Sequence, residues 1–411
     1  MADENSGTAA PNALPVTLLS DTVVVGPAAG RDRRVHRELV ARAEGWQRLL
    51  LPAPPERRGT PMSPVTGRDV DPSLLGTGAG TALIVRRSDG APIHTVTGLP
   101  EPVRWSGIRS LADVLAERPG PFAADPAQLT RLFSPWTGLL ARRVDGPGAD
   151  APGGRFGPSS GRPADFGRTD RRLGDPSAHG SAAVDPVTLT VLVCVGSVVP
   201  AVTGWGGTPA EALLAAVLGG LRGLSAAGHP AGAPSPRGAV GAAGPSELCW
   251  LLDGALALLA RQAVPLGGLA KQRALRSFRS RPGREATLPG LAGLHVVPGL
   301  ADGWAIARVV HPDTRRLLAA EWGASPQEAL GYAAARAQWA LAQPEPSGVL
   351  CRQPPSATRL LTRYGGADLP RLAGAVLDFL RPHRLRLLGI RLTSDSLLGP
   401  QAVAWGPVWL G

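Results

Sequence analysis

The chain has little of what builds a disulfide framework, a zinc site or a membrane anchor. Its three cysteines, Cys194, Cys249 and Cys351, stand far apart, with no CxxC pair and no histidine at ligand spacing. We therefore expect buried thiols in a reducing cytoplasm. No run of eighteen apolar residues occurs, and the N-terminus lacks a basic segment followed by an apolar one. These absences predict a cytoplasmic protein without a membrane span or a secretion signal.

Lysine is almost missing as well. Lys271 is the only lysine, so arginine carries nearly all of the formal net charge of +11. The basic residues are scattered rather than interleaved with exposed aromatics, which argues against nucleic acid as a partner. The densest cluster, Lys271–Arg284, holds six basic residues and no acid. It is interpreted as a solvated loop, with a docking surface for an acidic peptide as the alternative.

The length and composition are those of a globular protein with long loops. The 411 residues are 44% hydrophobic and 18% charged, but include 53 glycines and 42 prolines. Alternating and helical patterns predict an α/β (α+β) fold, with mixed sheets and packed helices. We expect a disordered tail over residues 1–15, a small α/β lobe over 16–120, and a larger domain over 121–411. Flexible inserts are expected in that domain near 145–185 and 226–245, where the sequence cannot bury enough apolar surface.

The stretch Val202–Ser225 is the clearest local signal. Its sequence predicts a glycine-rich turn that leads into a long helix. Thr208 is the expected N-cap, Pro209 the first helical residue, and Glu211 follows three residues after the cap.

Other segments have equally plain patterns. The predicted elements are a strand from Pro15 (VTLLSDTVVVGP), a helix over Arg31–Leu51, a hairpin turning at Asp89-Gly90, a strand beginning at Ser134-Pro135, a strand over Val187–Val199, an apolar helix over Ser246–Val264, a strand pair within Leu294–Val310, a capped helix over Ser325–Gln343, a helix over Leu369–Phe379, and two terminal strands.

Three of these segments resemble the signatures of the YcaO family, in the family's order. The phrase Leu132–Leu139 (LFSPWTGL) resembles the opening of the family's catalytic domain. The run Gly204-Trp205-Gly206-Gly207-Thr208, with Glu211-Ala212 and Ala216, resembles the family's first signature, and the helix over Ser325–Gln343 resembles its third signature. YcaO proteins are ATP-dependent enzymes that activate peptide amides, and many form thiazoline or oxazoline rings in ribosomal peptides. The resemblance covers about residues 132–411 and implies that the larger domain is YcaO-like.

The acids that hold magnesium and nucleotide in that family are largely replaced. Its glutamate positions fall on Gly219, Arg222, Leu256 and Arg336. Asp253 is the single retained carboxylate, and we expect it at the rim or paired with an arginine such as Arg261. Asp253, Thr208 and Gln338, which lies near the position of a family amide, are the cofactor-binding candidates; no catalytic or metal-ligating residue is assigned.

Magnesium-assisted chemistry on an amide needs convergent acids and cations. The replacements therefore favour a pseudoenzyme without a cofactor. It would act as a non-catalytic YcaO-like partner in the biosynthesis of a thiazole/oxazole-modified peptide, binding the precursor leader or an active cyclodehydratase. The alternative is an active ATP-dependent cyclodehydratase that converts Cys, Ser or Thr of a precursor peptide to azolines, with ATP and Mg in a rearranged site. A scaffold unrelated to the family and a homodimer both stay open.

Overall fold

A mixed α/β fold is confirmed by the computed structural model of the chain. The structure describes residues 15–27, 33–50, 81–87, 90–96, 99–100, 103–117, 132, 136–142, 188–194, 202–206, 209–227, 236–279, 291–300, 303–342, 356–363, 368–393 and 403–411. The tail over 1–14 and the predicted insert near 145–185 lie outside these ranges.

The chain divides into two compact units. The first comprises Met1–Pro102 with Leu132–Pro158, and the second comprises Val103–Arg131 with Ser159–Gly411. The strand Arg104–Ser110 belongs to the second unit, where it pairs with Leu387–Thr393.

The first unit contains a four-stranded antiparallel sheet in chain order. Its strands are β1 (Val16–Leu18), β2 (Thr22–Val25), β3 (Ala82–Arg86) and β4 (Pro92–Val96). The single strand predicted from Pro15 is thus a hairpin, because the Leu19 N–H donates to the Thr22 carbonyl across a turn, at 2.8 Å. The predicted hairpin between β3 and β4 is confirmed.

The helix α1 (Arg33–Leu50) matches its prediction and completes this unit. Trp46 of α1 donates through Nε1 to the Gly138 carbonyl at 2.9 Å. This bond ties the helix to the segment before the short strand β6 (Leu140–Arg142). The strand expected at Ser134-Pro135 begins later than predicted, and those two residues lie outside the described ranges.

Two antiparallel sheets and a hairpin form the framework of the second unit. One sheet has the order β5 (Arg104–Ser110), β14 (Leu387–Thr393), β15 (Ala404–Leu410) and β9 (Val240–Gly244). The other runs in chain order through β10 (Val264–Pro265), β11 (Leu291–Val296), β12 (Ala305–Val310) and β13 (Leu317–Gly323). The hairpin joins β7 (Thr188–Cys194) to β8 (Val202–Gly206).

Helices cover these sheets and supply the core. They are α2 (Leu111–Ala116), α3 (Pro209–Ala227), α4 (Glu247–Leu259), α5 (Gly268–Arg279), α6 (Pro326–Ala342), α7 (Thr358–Arg363) and α8 (Asp368–Leu380). The central helix is α4, whose residues after Glu247 are all buried and whose start is capped by Ser246. Among the described helices, none combines the length and hydrophobicity needed to cross a membrane.

Three segments differ from their predictions. The glycine-rich turn before α3 is largely the strand β8. The insert expected near 226–245 contains β9, which is ordered by pairing with β15. The basic segment from Lys271, expected to be a loop, is helical as far as Arg279, because Ala274 is buried in an apolar cluster beside α6.

Candidate functional site

Asp253 lies in the middle of α4 and is only 3% exposed. Its carboxylate accepts two hydrogen bonds from Arg222, from Nε at 2.9 Å and from Nη2 at 2.7 Å. It also accepts the backbone N–H of Ala243 in β9 at 3.1 Å. Of the two expected arrangements, the rim position is not found and the pairing with an arginine is found. The partner is Arg222 rather than Arg261, which donates to the Gly238 carbonyl.

The guanidinium of Arg222 joins three helices. It extends from α3 to Asp253 of α4, and its Nη2 also donates to the Thr358 hydroxyl at the start of α7, at 3.2 Å. Its side chain is 19% exposed, so the ion pair is largely withdrawn from water. A bidentate arginine–carboxylate pair of this kind fixes geometry as well as charge.

A second buried ion pair lies between α6 and β13. Arg336 Nη1 donates to Glu321 Oε1 at 2.5 Å, and the two side chains are 13% and 1% exposed. Glu321 was missed by sequence reasoning. The signal that could have found it is a lone acid in the apolar strand LLAAEWG, which needs a partner when it is buried.

The segment Ser356–Thr358 connects the two ion pairs. Ser356 forms a bridge with Glu321, since its N–H donates to the Ala320 carbonyl and its carbonyl accepts the Trp322 N–H, both at 3.0 Å. Two residues later, Thr358 accepts the bond from Arg222. Because two residues of chain span at most about 7 Å, both pairs approach one short segment. The aligned positions Arg222 and Arg336 and the retained acid Asp253 are thereby brought to one region of the unit.

The other two aligned glutamate positions do not suit an acid. A Cβ at Gly219 would lie 2.5 Å from the Cγ1 of Val202. Leu256 is completely buried in the core around α4. A glutamate at either position would clash or bury an uncompensated charge.

The glycine pattern of the first signature has a packing role. A Cβ at Gly204 would lie 2.1 Å from the backbone nitrogen of Ala216 and 2.2 Å from the carbonyl oxygen of Ala212. The strand β8 thus contacts the backbone of α3 directly. This contact requires glycine, because no side chain can move aside to admit a Cβ.

Two cofactor-binding candidates remain, Thr208 and Gln338. Thr208 lies outside the described residues. Gln338 is partly exposed on α6, two residues after Arg336. Residues two apart on a helix do not share a face, so Gln338 does not point in the direction of Arg336.

The side chains at these positions do not fit a magnesium ion. Magnesium prefers carboxylate oxygens in near-octahedral geometry, together with phosphate and water oxygens. Both oxygens of Asp253 accept from Arg222, and Oε1 of Glu321 accepts from Arg336. Within the described ranges, no three His, Cys, Asp or Glu side chains converge as metal ligands. The arrangement instead neutralises buried charge and links helices to strands.

Cys249 lies one helical turn before Asp253 and is not an activated nucleophile. Burial raises the pKa of its thiol to about 11; hydrogen bonding with Ser246 partly opposes this effect, and the charge of nearby Asp253 adds to it. A thiol with this pKa is protonated at neutral pH and unreactive. The predicted buried thiol is confirmed for Cys249.

The chain has no match among protein-family models and none among curated proteins. Among solved structures it is similar to a YcaO from Methanopyrus kandleri bound with AMPPCP and Mg²⁺. That similarity has 12% identity and a TM-score of 0.32, and covers 56% of this chain and 83% of the other. A heterocyclase in complex with substrate and cofactor is similar with 12% identity and a TM-score of 0.36, over 97% of this chain and 72% of the other. The chain is thus distantly similar to solved YcaO and heterocyclase structures.

Proposed function

We propose that this protein is a non-catalytic YcaO-like partner in the biosynthesis of a ribosomal thiazole/oxazole-modified peptide. It binds the precursor leader or an active cyclodehydratase and uses neither ATP nor magnesium. The observation that carries the proposal is the Arg222–Asp253 pair. The one retained acid is neutralised by an arginine that stands at a glutamate position of the family's first signature.

This pair disfavours a coordination role for Asp253. To bind a metal, the carboxylate would have to release a guanidinium whose side chain is 19% exposed. Breaking a buried ion pair by taking away one partner costs about 3–5 kcal/mol. A magnesium ion would also add positive charge beside Arg222, which like-charge repulsion disfavours.

The Arg336–Glu321 pair repeats the same replacement. Arg336 stands at the glutamate position of the third signature, and its partner Glu321 is 1% exposed on a neighbouring strand. At both positions the arginine has a buried acid as its partner. Positions that serve chemistry in the family therefore serve stability in this chain, which supports a retained scaffold with a binding role.

Affinity capture tests the proposal directly. The immobilised protein would be offered the co-encoded cyclodehydratase, the full-length precursor, and a precursor without its leader. We expect retention of the cyclodehydratase or of the full-length precursor, and no retention of the leaderless form. Recovery of neither protein, from a sample shown to be folded, would contradict the proposal.

The same samples examine the enzymatic alternative. The precursor would be incubated with the protein alone, ATP and Mg²⁺, and its mass followed. An active cyclodehydratase removes one water for each ring formed, so a loss of water would establish the alternative. We expect no mass change.

A further inference from the structure

The helix α5 presents one side to the core and another to solvent. Ala274 is 2% exposed and packs in an apolar cluster with Leu294 and Leu330. The exposed residues Leu269, Gln272, Arg273 and Arg276 follow the spacing i, i+3, i+4 and i+7. They therefore form a single stripe on the helix surface, which we call the basic stripe together with the flanking Lys271.

The positive charge of the basic stripe is not neutralised within the described ranges. Lys271, Arg273 and Arg276 form no ion pair with an acid there, and α5 itself contains no acid. Arg222 and Arg336 each have a buried carboxylate partner. Unlike those two arginines, Arg273 and Arg276 of α5 face solvent.

The positive field of this surface extends to β11. There His295 lies over Gly293, with its Cε1 3.1 Å from where a Cβ on that glycine would stand. Arg308 pairs with Gly293 across the sheet, so it lies on the same face as His295. Burial lowers the pKa of His295, Arg308 and Lys271 lower it further, and the Gly293 backbone offsets part of the effect.

An apolar side chain accompanies the charge. Leu269, at the N-terminal end of the basic stripe, is 74% exposed. Val264, in the strand before the helix, is 43% exposed. None of the exposed positions that the structure describes on α5 is aromatic, whereas single-stranded nucleic-acid sites typically offer aromatic stacking platforms.

We propose that the basic stripe is the docking surface for an acidic peptide segment, whose carboxylates face Arg273 and Arg276 and whose apolar side chain covers Leu269. Charge complementarity steers such a segment to the helix, and the leucine contact adds apolar burial. This inference rests on the proposed function, because it names the kind of segment that a precursor or partner protein would present.

Fluorescence anisotropy of labelled peptides tests the proposal on the full chain. Two synthetic peptides of equal length and leucine content would be compared, one with glutamates and one with lysines at the remaining positions. We expect only the acidic peptide to bind, and its affinity to fall as salt is raised. Arg273→Glu with Arg276→Glu should weaken it by about tenfold or more.

A matched control carries the same charge change elsewhere. Arg104 and Arg386 are exposed and lie outside α5. Arg104→Glu with Arg386→Glu should leave the affinity for the acidic peptide unchanged. Equal loss in both double variants would overturn the proposal, because it would reduce the effect to net charge.

Three further readouts make the outcome decisive. Binding of the acidic peptide should raise the pKa of His295, followed by NMR, because added carboxylates favour the protonated imidazole. Leu269→Ser should weaken binding without changing its salt dependence. An oligothymidylate that binds as tightly as the acidic peptide, and loses affinity in the same α5 variant, would overturn the proposal in favour of nucleic acid.

The test is separable from that of the proposed function. Binding of the acidic peptide at α5, with no capture of cyclodehydratase or precursor, would keep the docking surface and reject the biosynthetic role. Capture of either protein that survives the α5 charge reversal would keep the role and reject the docking surface.

Discussion

The pair Arg222–Asp253 should be strongly coupled, because removing either residue alone should destabilise the second unit far more than removing both. The perturbation is a double-mutant cycle with Arg222→Met, Asp253→Leu and the two combined. Methionine keeps much of the arginine stem, and leucine is close to aspartate in size. Each single change removes one charge and leaves the other buried.

The expected magnitudes follow from burial. Each single variant should lose about 3–5 kcal/mol of its free energy of unfolding, because Asp253 is 3% exposed and the Arg222 side chain is 19% exposed. The double variant buries no charge, but it leaves the Ala243 N–H without its carboxylate acceptor. Its loss should therefore be limited to about 1–3 kcal/mol. The coupling energy is then several kcal/mol, well beyond the limit of additive behaviour.

Denaturant unfolding followed by tryptophan fluorescence measures the cycle, since the buried Trp250 lies on α4 three residues before Asp253. The wild type and the three variants would be compared at one pH. Losses that add to within about 0.5 kcal/mol would refute the reasoning, because they would show that the two residues do not act together. The simpler change Asp253→Asn cannot separate a catalytic from a structural role, since it disturbs the same buried pair.

The remaining predictions concern packing, reactivity and pH. Gly219→Glu should lower the free energy of unfolding, measured with denaturant, by about 1–3 kcal/mol, since its Cβ would lie 2.5 Å from Val202. Adding Val202→Ala should restore part of that stability. The control Gly374→Ala should lose none, because nothing lies within 4 Å of the new Cβ. Cys249, with its thiol pKa raised to about 11, should resist iodoacetamide at pH 8 until the chain unfolds, as read by peptide mass spectrometry; rapid labelling of the folded protein would contradict this. The pKa of His295 is lowered in the folded state by burial, so the unfolded chain binds more protons below about pH 6.5. The free energy of unfolding should therefore fall as the pH drops below about 6.5, and it should fall less steeply in His295→Gln. An unchanged slope in that variant would contradict the assignment of this effect to His295.

Local signals in the sequence predicted much of the secondary structure. The helices α4 and α6 begin where Ser246 and Ser325 accept hydrogen bonds from backbone N–H groups three residues later. The hairpin of β3 and β4 also followed from alternation around a glycine turn. These elements depend on residues close in sequence, which a single chain displays directly.

The candidate site was harder to predict because its contacts are distant in sequence. Asp253 and Arg222 are 31 residues apart, and Glu321 and Arg336 are 15 apart. Sequence analysis identified the two arginines as replaced acids, but not as the partners of other acids. The strand β9 was missed because VGAAG has weak strand propensity and is ordered by pairing with β15.

We propose that the protein uses neither ATP nor magnesium, and calorimetric titration tests this proposal most directly. The purified, folded protein would be titrated with ATP, with Mg²⁺ and with both together. We expect no binding that depends on magnesium. Tight binding of ATP that requires Mg²⁺, and that is lost in Asp253→Leu with Arg222→Met, would contradict it.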